Sequence, residues 1–273
     1  MTGSLHRRTF LVGAAAAALG AACSKEEGRA SPSPEPKGAP NTYVLLHGSW
    51  HGGWCWRRVA DRLRAAGHAV YTPTHTGLGE RSHLLSKAIT LDILVQDVVN
   101  VLEWEDLRDV VLVGHSFGGI GITGAADQVP DRIRHLVYLD SLILENGQSP
   151  FSVLPPDVTE ARRKLAQEFS EGVSVPVPDP TAFGVTDPED LAWLKAKCTP
   201  HPVSTYEDAL DLNNPVGNRR PVTYIAVKPE YGPTAASRIF AKQQKNWRYV
   251  ELEAGHDAMV TSPVALVDLL TAI

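Results

Sequence analysis

Asp109-Val110-Val111-Leu112-Val113-Gly114-His115-Ser116-Phe117-Gly118-Gly119 is the stretch on which the fold turns. The wholly apolar run from Val110 to Val113 has the pattern of a strand buried on both faces, where alternation with polar residues is lost. The residues after Phe117 are small or apolar, as a closely packed helix requires. Between strand and helix stands Ser116, in the pattern G-x-S-x-G. That setting predicts a nucleophile elbow, a sharp turn that lifts the serine hydroxyl above the sheet edge. Gly114 and Gly118 withhold the Cβ atoms that would collide there, and the helix start offers free N–H groups to developing negative charge.

Working outward, the same signals alternate. Residues 42–46 form a second apolar strand ended by His47-Gly48, and 56–66 read as a helix stopped by Gly67. A strand at 68–72 is broken by Pro73, and Leu94, Val95, Val98, Val99 and Leu102 make one helical stripe. A strand at 136–139 ends at Asp140. Near the C-terminus come a strand at 222–227, a helix at 235–244, a strand at 248–252 and a last helix from Pro263. Such alternation predicts an α/β fold, a mostly parallel sheet with helices on both faces. Residues 142–220 break the rhythm with proline clusters and two helical patches, at 159–169 and 188–197, and read as a helical cap inserted into a domain spanning 41–273.

A serine hydroxyl needs a base to act as a nucleophile near neutrality. Among ten histidines, His256 follows the last strand and precedes the final helix, the place of the base in the chain order Ser, acid, His. The acid belongs at a strand's C-terminal end. Asp140 is preferred because it closes its strand directly, and Glu230, two residues beyond its strand, is the alternative. An oxyanion hole needs two N–H donors; Phe117 and Ser49 in the loop after the first strand are the candidates. Trp50, Trp54, Phe151, Phe183 and Trp193 are candidate walls of an apolar pocket. His47 and His51 stand four apart but lack a third ligand nearby, so no metal is expected. No cofactor is expected either.

The first 22 residues read as an export signal: Arg7-Arg8, then an apolar run from Phe10 to Ala22 of about 20 Å as helix, too short to cross a bilayer core of about 30 Å. The arginine pair followed by Phe10-Leu11 has the form of a twin-arginine signal, which implies a periplasmic or extracellular protein. Cys23 stands where a bacterial lipoprotein carries its lipid, although Gly20 replaces the usual leucine three residues before it. Residues 23–40, rich in serine and proline, read as a tether. Net charge is −5, falling to −7 once Arg7 and Arg8 leave with the signal, so nothing electrostatic favours nucleic acid. Cys55 and Cys198 are free to pair only if the fold brings them together.

Together, Leu46-His47-Gly48-Ser49-Trp50-His51-Gly52-Gly53-Trp54, Thr76-Gly77-Leu78-Gly79-Glu80-Arg81, the Ser116 elbow and Gly255-His256-Asp257 resemble the α/β-hydrolase superfamily. The narrower likeness is to bacterial esterases related to the plant methylesterase and hydroxynitrile lyase branch. The resemblance implies an eight-stranded sheet, a helical cap, no cofactor, and Ser–His–acid catalysis through an acyl-enzyme, with Ser49 and Phe117 at the oxyanion positions. Methylesterases of this branch keep their acid near Glu230, whereas dehalogenase relatives use the position of Asp140. The lyases place lysine directly after the base and threonine after the strand-end histidine; here Asp257 and Gly48 stand there instead. The expected activity is therefore hydrolysis of small to medium apolar carboxylic esters. A non-catalytic ligand-binding protein and a lyase or C–C hydrolase are the alternatives.

Overall fold

Each apolar run read above from Thr42 onward becomes a strand or a helix in the computed structural model, which describes residues 40–273. The expected signal, the tether and Cys23 lie outside the described residues. The strands are β1 (Thr42–Leu46), β2 (Ala69–Tyr71), β3 (Val110–His115), β4 (Ile133–Leu139), β5 (Ser174–Val175), β6 (His201–Pro202), β7 (Val222–Lys228) and β8 (Trp247–Glu253). Six of them form a parallel sheet in the order β2-β1-β3-β4-β7-β8. The resemblance implies eight. Among the described residues the chain enters the sheet directly at β1, the strand that leads into the His47-Gly48 loop, so no strand flanks β2 on its outer side.

The order decides where a site can form. From β1 the chain moves outward to β2, then crosses back to place β3 on the other side of β1. Loops leaving the C-terminal ends of β1 and β3 therefore diverge and open a crevice, the usual ligand position in open α/β sheets. In register, Leu46 pairs with Gly114 and His115 with Leu139, so the segments after β1, β3 and β4 start at one edge.

Every residue of β3 is buried, which accounts for its unbroken apolar character. Helices α1 (Arg57–Ala65), α2 (Leu91–Trp104) and α3 (Gly118–Gln128) carry the crossovers, and Thr90 caps α2 by accepting from the Ile93 N–H. Between β4 and β7 lie four helices, α4 (Pro150–Val153), α5 (Pro156–Ser170), α6 (Pro188–Lys197) and α7 (Ser204–Glu207), with β5 and β6 as a two-stranded antiparallel ribbon. Trp50 ties the loop after β1 to this segment: its Nε1–H donates to the Val175 carbonyl at 3.2 Å, and its own carbonyl accepts from Thr199 N–H at 2.8 Å. After β7 come α8 (Ala235–Gln243), and after β8 α9 (Ala258–Thr261) and α10 (Pro263–Thr271). Cys55 and Cys198 are both free thiols, so the pairing considered from sequence is not formed. Among the described residues no helix is long and apolar enough to cross a membrane.

Candidate active site

Ser116 follows β3 with φ at +52°, a left-handed conformation that costs a non-glycine residue about 1–3 kcal/mol and persists only where the surroundings enforce it. They do. Ser116 N–H donates to the Leu139 carbonyl, while its carbonyl accepts from the N–H groups of Gly119 and Leu142. At Gly118 a Cβ would lie 2.6 Å from the His47 carbonyl oxygen, so only glycine lets α3 begin this close to the loop after β1.

His256 lies in the turn between β8 and α9, and its Nε2 is 2.9 Å from Ser116 Oγ. Its Nδ1 is 2.7 Å from Asp140 Oδ2. Asp140 is fully buried, held at φ +41° by its position after β4. Its other oxygen, Oδ1, accepts from Arg238 Nη2 at 2.7 Å, with Thr234 Oγ1 at 3.1 Å. Burial opposes ionisation of Asp140, but the hydrogen bond and charge of His256, with the charge of Arg238, outweigh it and hold the carboxyl below its usual range. A carboxylate, an imidazole and a hydroxyl thus stand in line. Chemically, this arrangement can draw a proton from Ser116 and stabilise the imidazolium that results.

Ser49 lines a narrow cavity with Ser116, its Oγ 2.5 Å from Tyr206 Oη. Phe117 is the N-cap of α3, and its ring packs against His201 and Tyr206. His47 fixes the intervening loop: Nδ1 bonds the Gly48 carbonyl at 2.7 Å and Nε2 accepts from His75 N–H at 3.1 Å. Burial pushes the His47 pKa well below its usual value, which suits a neutral ring in that role.

The sequence profile described as the alpha/beta hydrolase family matches residues 43–269. The chain belongs to that family. This hydrolase is 40% identical over 242 residues to a carbendazim hydrolyzing esterase of Nocardioides sp. (strain SG-4G), covering 85% of this chain and 98% of the relative. It is 26% identical over 250 residues to methylesterase 10 of Arabidopsis thaliana, covering 85% and 90%. Among solved structures, an extracellular alpha/beta-hydrolase from a Paenibacillus species superimposes with a TM-score of 0.75 at 26% identity, covering 85% and 98%; it shares structural and functional homology with tobacco salicylic acid binding protein 2.

Other expected residues of the hydrolase fall elsewhere. Glu230, the alternative acid, is exposed and lies 3.9 Å from Arg238, which turns it to the solvent side of that guanidinium rather than onto His256. Trp50 and Phe183 line a cavity of about 470 Å³ beside the serine, and Trp50 also lines the one above it. Trp54, Trp193 and Phe151 line neither. Trp54 packs between His51 and Trp193, which Arg58 covers from outside, while Phe151 stacks on the Tyr206 ring.

Several residues near the site had no sequence signal strong enough to single them out. Tyr231 stacks on His256 with ring centres 3.8 Å apart, and Arg238 buttresses Asp140 from α8. Below His256 lies a buried pair. His51 bonds the Ser49 carbonyl through Nδ1 at 2.7 Å and Asp257 Oδ2 through Nε2 at 3.1 Å, so both ring nitrogens face acceptors, as in an imidazolium. Burial alone would lower the His51 pKa; the Asp257 carboxylate outweighs it and raises the pKa well above 6.5. Asp257 is likewise lowered, burial being outweighed by the charge and hydrogen bond of His51. His115 is different: burial and the neighbouring His256 push it down to about 3, and its neutral Nε2 bonds the His256 carbonyl at 2.9 Å.

The pair makes a stability prediction. Stability from a raised His51 is complete below its ordinary pKa and lost as pH rises through the native one; stability from a depressed Asp257 is complete above its ordinary pKa and lost as pH falls through the native one. The pair should therefore contribute most between about pH 4 and 6.5. Asp257→Asn should cost about 3–5 kcal/mol there, lowering the melting temperature by about 10 °C, with a smaller deficit outside that window. A deficit unchanged between pH 5 and pH 9 would contradict the assignment.

Proposed function

We propose that this hydrolase cleaves carboxylic esters with Ser116 as nucleophile, His256 as general base and acid, and Asp140 as the carboxylate that orients His256. The unbroken chain of contacts from Asp140 through His256 to Ser116 Oγ carries this reading. Ser116 Oγ attacks the ester carbonyl while its proton passes to His256 Nε2; the carbonyl oxygen becomes negative between the backbone N–H groups of Ser49 and Phe117. His256 then gives its proton to the leaving alcohol as the C–O bond breaks. Water, deprotonated by the same nitrogen, attacks the acyl-enzyme, and the acid leaves with Ser116 Oγ reprotonated.

An esterase among the relatives and an apolar cavity beside Ser116 support a small to medium, largely apolar substrate. The cavity directly over Ser116 has room for about one water molecule, so part of the α4–α7 segment gives way when an ester enters. Lyase chemistry finds less support. A Cβ at Gly48 would meet Ser116 Cβ at 2.7 Å, leaving no space for a threonine there, and the residue after His256 is Asp257, whose buried carboxylate is engaged by His51, so that position supplies no cation for a leaving cyanide.

Covalent labelling by a fluorophosphonate tests the reading: the native protein should be labelled at Ser116 and should turn over p-nitrophenyl esters. A protein that binds esters but is neither labelled nor active would be the non-catalytic alternative. The export signal belongs to the same proposal. A protein carrying Arg7→Lys and Arg8→Lys should accumulate in the cytoplasm while the native chain fractionates outside it; equal distribution of the two would reject a twin-arginine route.

A further inference from the structure

Arg162 stands on α5 with its guanidinium facing both cavities at the site: the narrow one over Ser116 and the apolar one beside it. It is the one charged side chain in either lining. Two aromatic faces hold it, with Trp50 5.2 Å and Tyr206 4.9 Å from the guanidinium carbon. The other arginines near it are spoken for. Arg163 faces Glu207 at 3.4 Å, and Arg238 is committed to Asp140. Among the described residues no carboxylate pairs with Arg162. Of the ionisable groups on the elements packed against it, Glu207 of α7 faces Arg163 instead, and burial keeps Tyr206, Tyr231 and His201 uncharged by raising the tyrosines and lowering the histidine.

A guanidinium between aromatic planes and an apolar cavity, with no acid beside it, is a preformed receptor for a planar anion. Its fork of N–H donors matches a carboxylate in two parallel bonds. Resting on the esterase reading above, we propose that Arg162 selects esters that carry a carboxylate away from the scissile bond, so that the preferred substrate is an apolar ester with one anionic end. The apolar cavity takes the hydrocarbon stretch between the two. Arg162 is a specificity-determining residue in this scheme, and the chemistry at Ser116 is unaltered.

Two matched pairs of esters test this with the full chain. Monomethyl adipate against dimethyl adipate puts the carboxylate on the acyl side; carboxyphenyl acetate against tolyl acetate puts it on the alcohol side. The expected result is a kcat/KM ratio of about ten- to hundredfold in favour of the anionic member of one pair, the worth of a charged hydrogen bond. The pair that shows the ratio identifies which side of the ester meets Arg162. Arg162→Gln should bring that ratio close to one and Arg162→Lys should keep part of it. In the native protein the ratio should also shrink as salt rises, a readout independent of any variant. A native ratio near one in both pairs, or a ratio untouched by Arg162→Gln, would overturn the proposal, since an arginine that merely steadies α5 affects both members alike. Absence of turnover with all four esters, together with absence of fluorophosphonate labelling, would instead overturn the esterase reading.

Discussion

Ser116→Ala should lower kcat for a p-nitrophenyl ester by about a million-fold, with little change in thermal stability. In the proposed mechanism, loss of Oγ removes the nucleophile, and His256 Nε2, 2.9 Å away, is left without a proton to take. The residual rate above water comes from the oxyanion donors and from holding the substrate in place. Stability should hold for two reasons. The lost hydrogen bond is worth about 1 kcal/mol, a few degrees at most, and alanine inherits the same left-handed backbone that serine occupies at φ +52°. Ser116→Gly should be as inactive but should melt at or above the alanine variant, because glycine accepts that φ without a Cβ penalty. Activity retained within a hundredfold of native in either variant would remove Ser116 from the chemistry.

How legible these features were depends on what each signal reports. The central strands were plain in the sequence because burial on both faces forces an unbroken apolar run, and β3 is buried from Val110 to His115. Ser116 and His256 were legible for a related reason, since each sits at the break between such a run and a helix. The β5–β6 ribbon was not. Two-residue strands such as Ser174–Val175 and His201–Pro202 are too short for any periodicity, and their pairing spans a connection that sequence cannot measure. Aromatics misled as well. Trp54 and Trp193 have the composition of a pocket wall, yet which side of the loop they face depends on their packing against each other. Arg162 falls inside a helical patch beside two other basic residues, Arg163 and Lys164, and only the fold separates the cation that faces the cavity from those that face water. From sequence Asp140 is preferred over Glu230 because it closes its strand directly; strand order, which the sequence does not reveal, adds a separate ground. Both follow strands that end on the same edge, but β4 lies directly beside β3, and Arg238 engages both acids from opposite sides.

That shared arginine makes the second large effect specific. Asp140→Asn is nearly isosteric, so the question is which way its amide points. Arg238 Nη2 donates at 2.7 Å to the position of Oδ1, and a guanidinium has no lone pair to offer an amide N–H. The asparagine carbonyl must therefore face Arg238, which turns its NH2 toward His256 Nδ1. A donor at that nitrogen makes it the acceptor and moves the ring proton to Nε2, the tautomer that cannot take a proton from Ser116. Turnover should fall about 10⁴-fold, while fluorophosphonate labelling slows to match and the fold survives. Adding Arg238→Gln should recover part of the loss, about tenfold, because a glutamine can donate or accept and frees the asparagine to present its carbonyl to His256. Glu230→Gln should stay within about threefold of native, since its exposed carboxylate contacts only the outer edge of Arg238. If Glu230→Gln proved the crippling change and Asp140→Asn the mild one, the roles of the two acids would be reversed, and the 2.7 Å contact at His256 Nδ1 would be structural rather than catalytic.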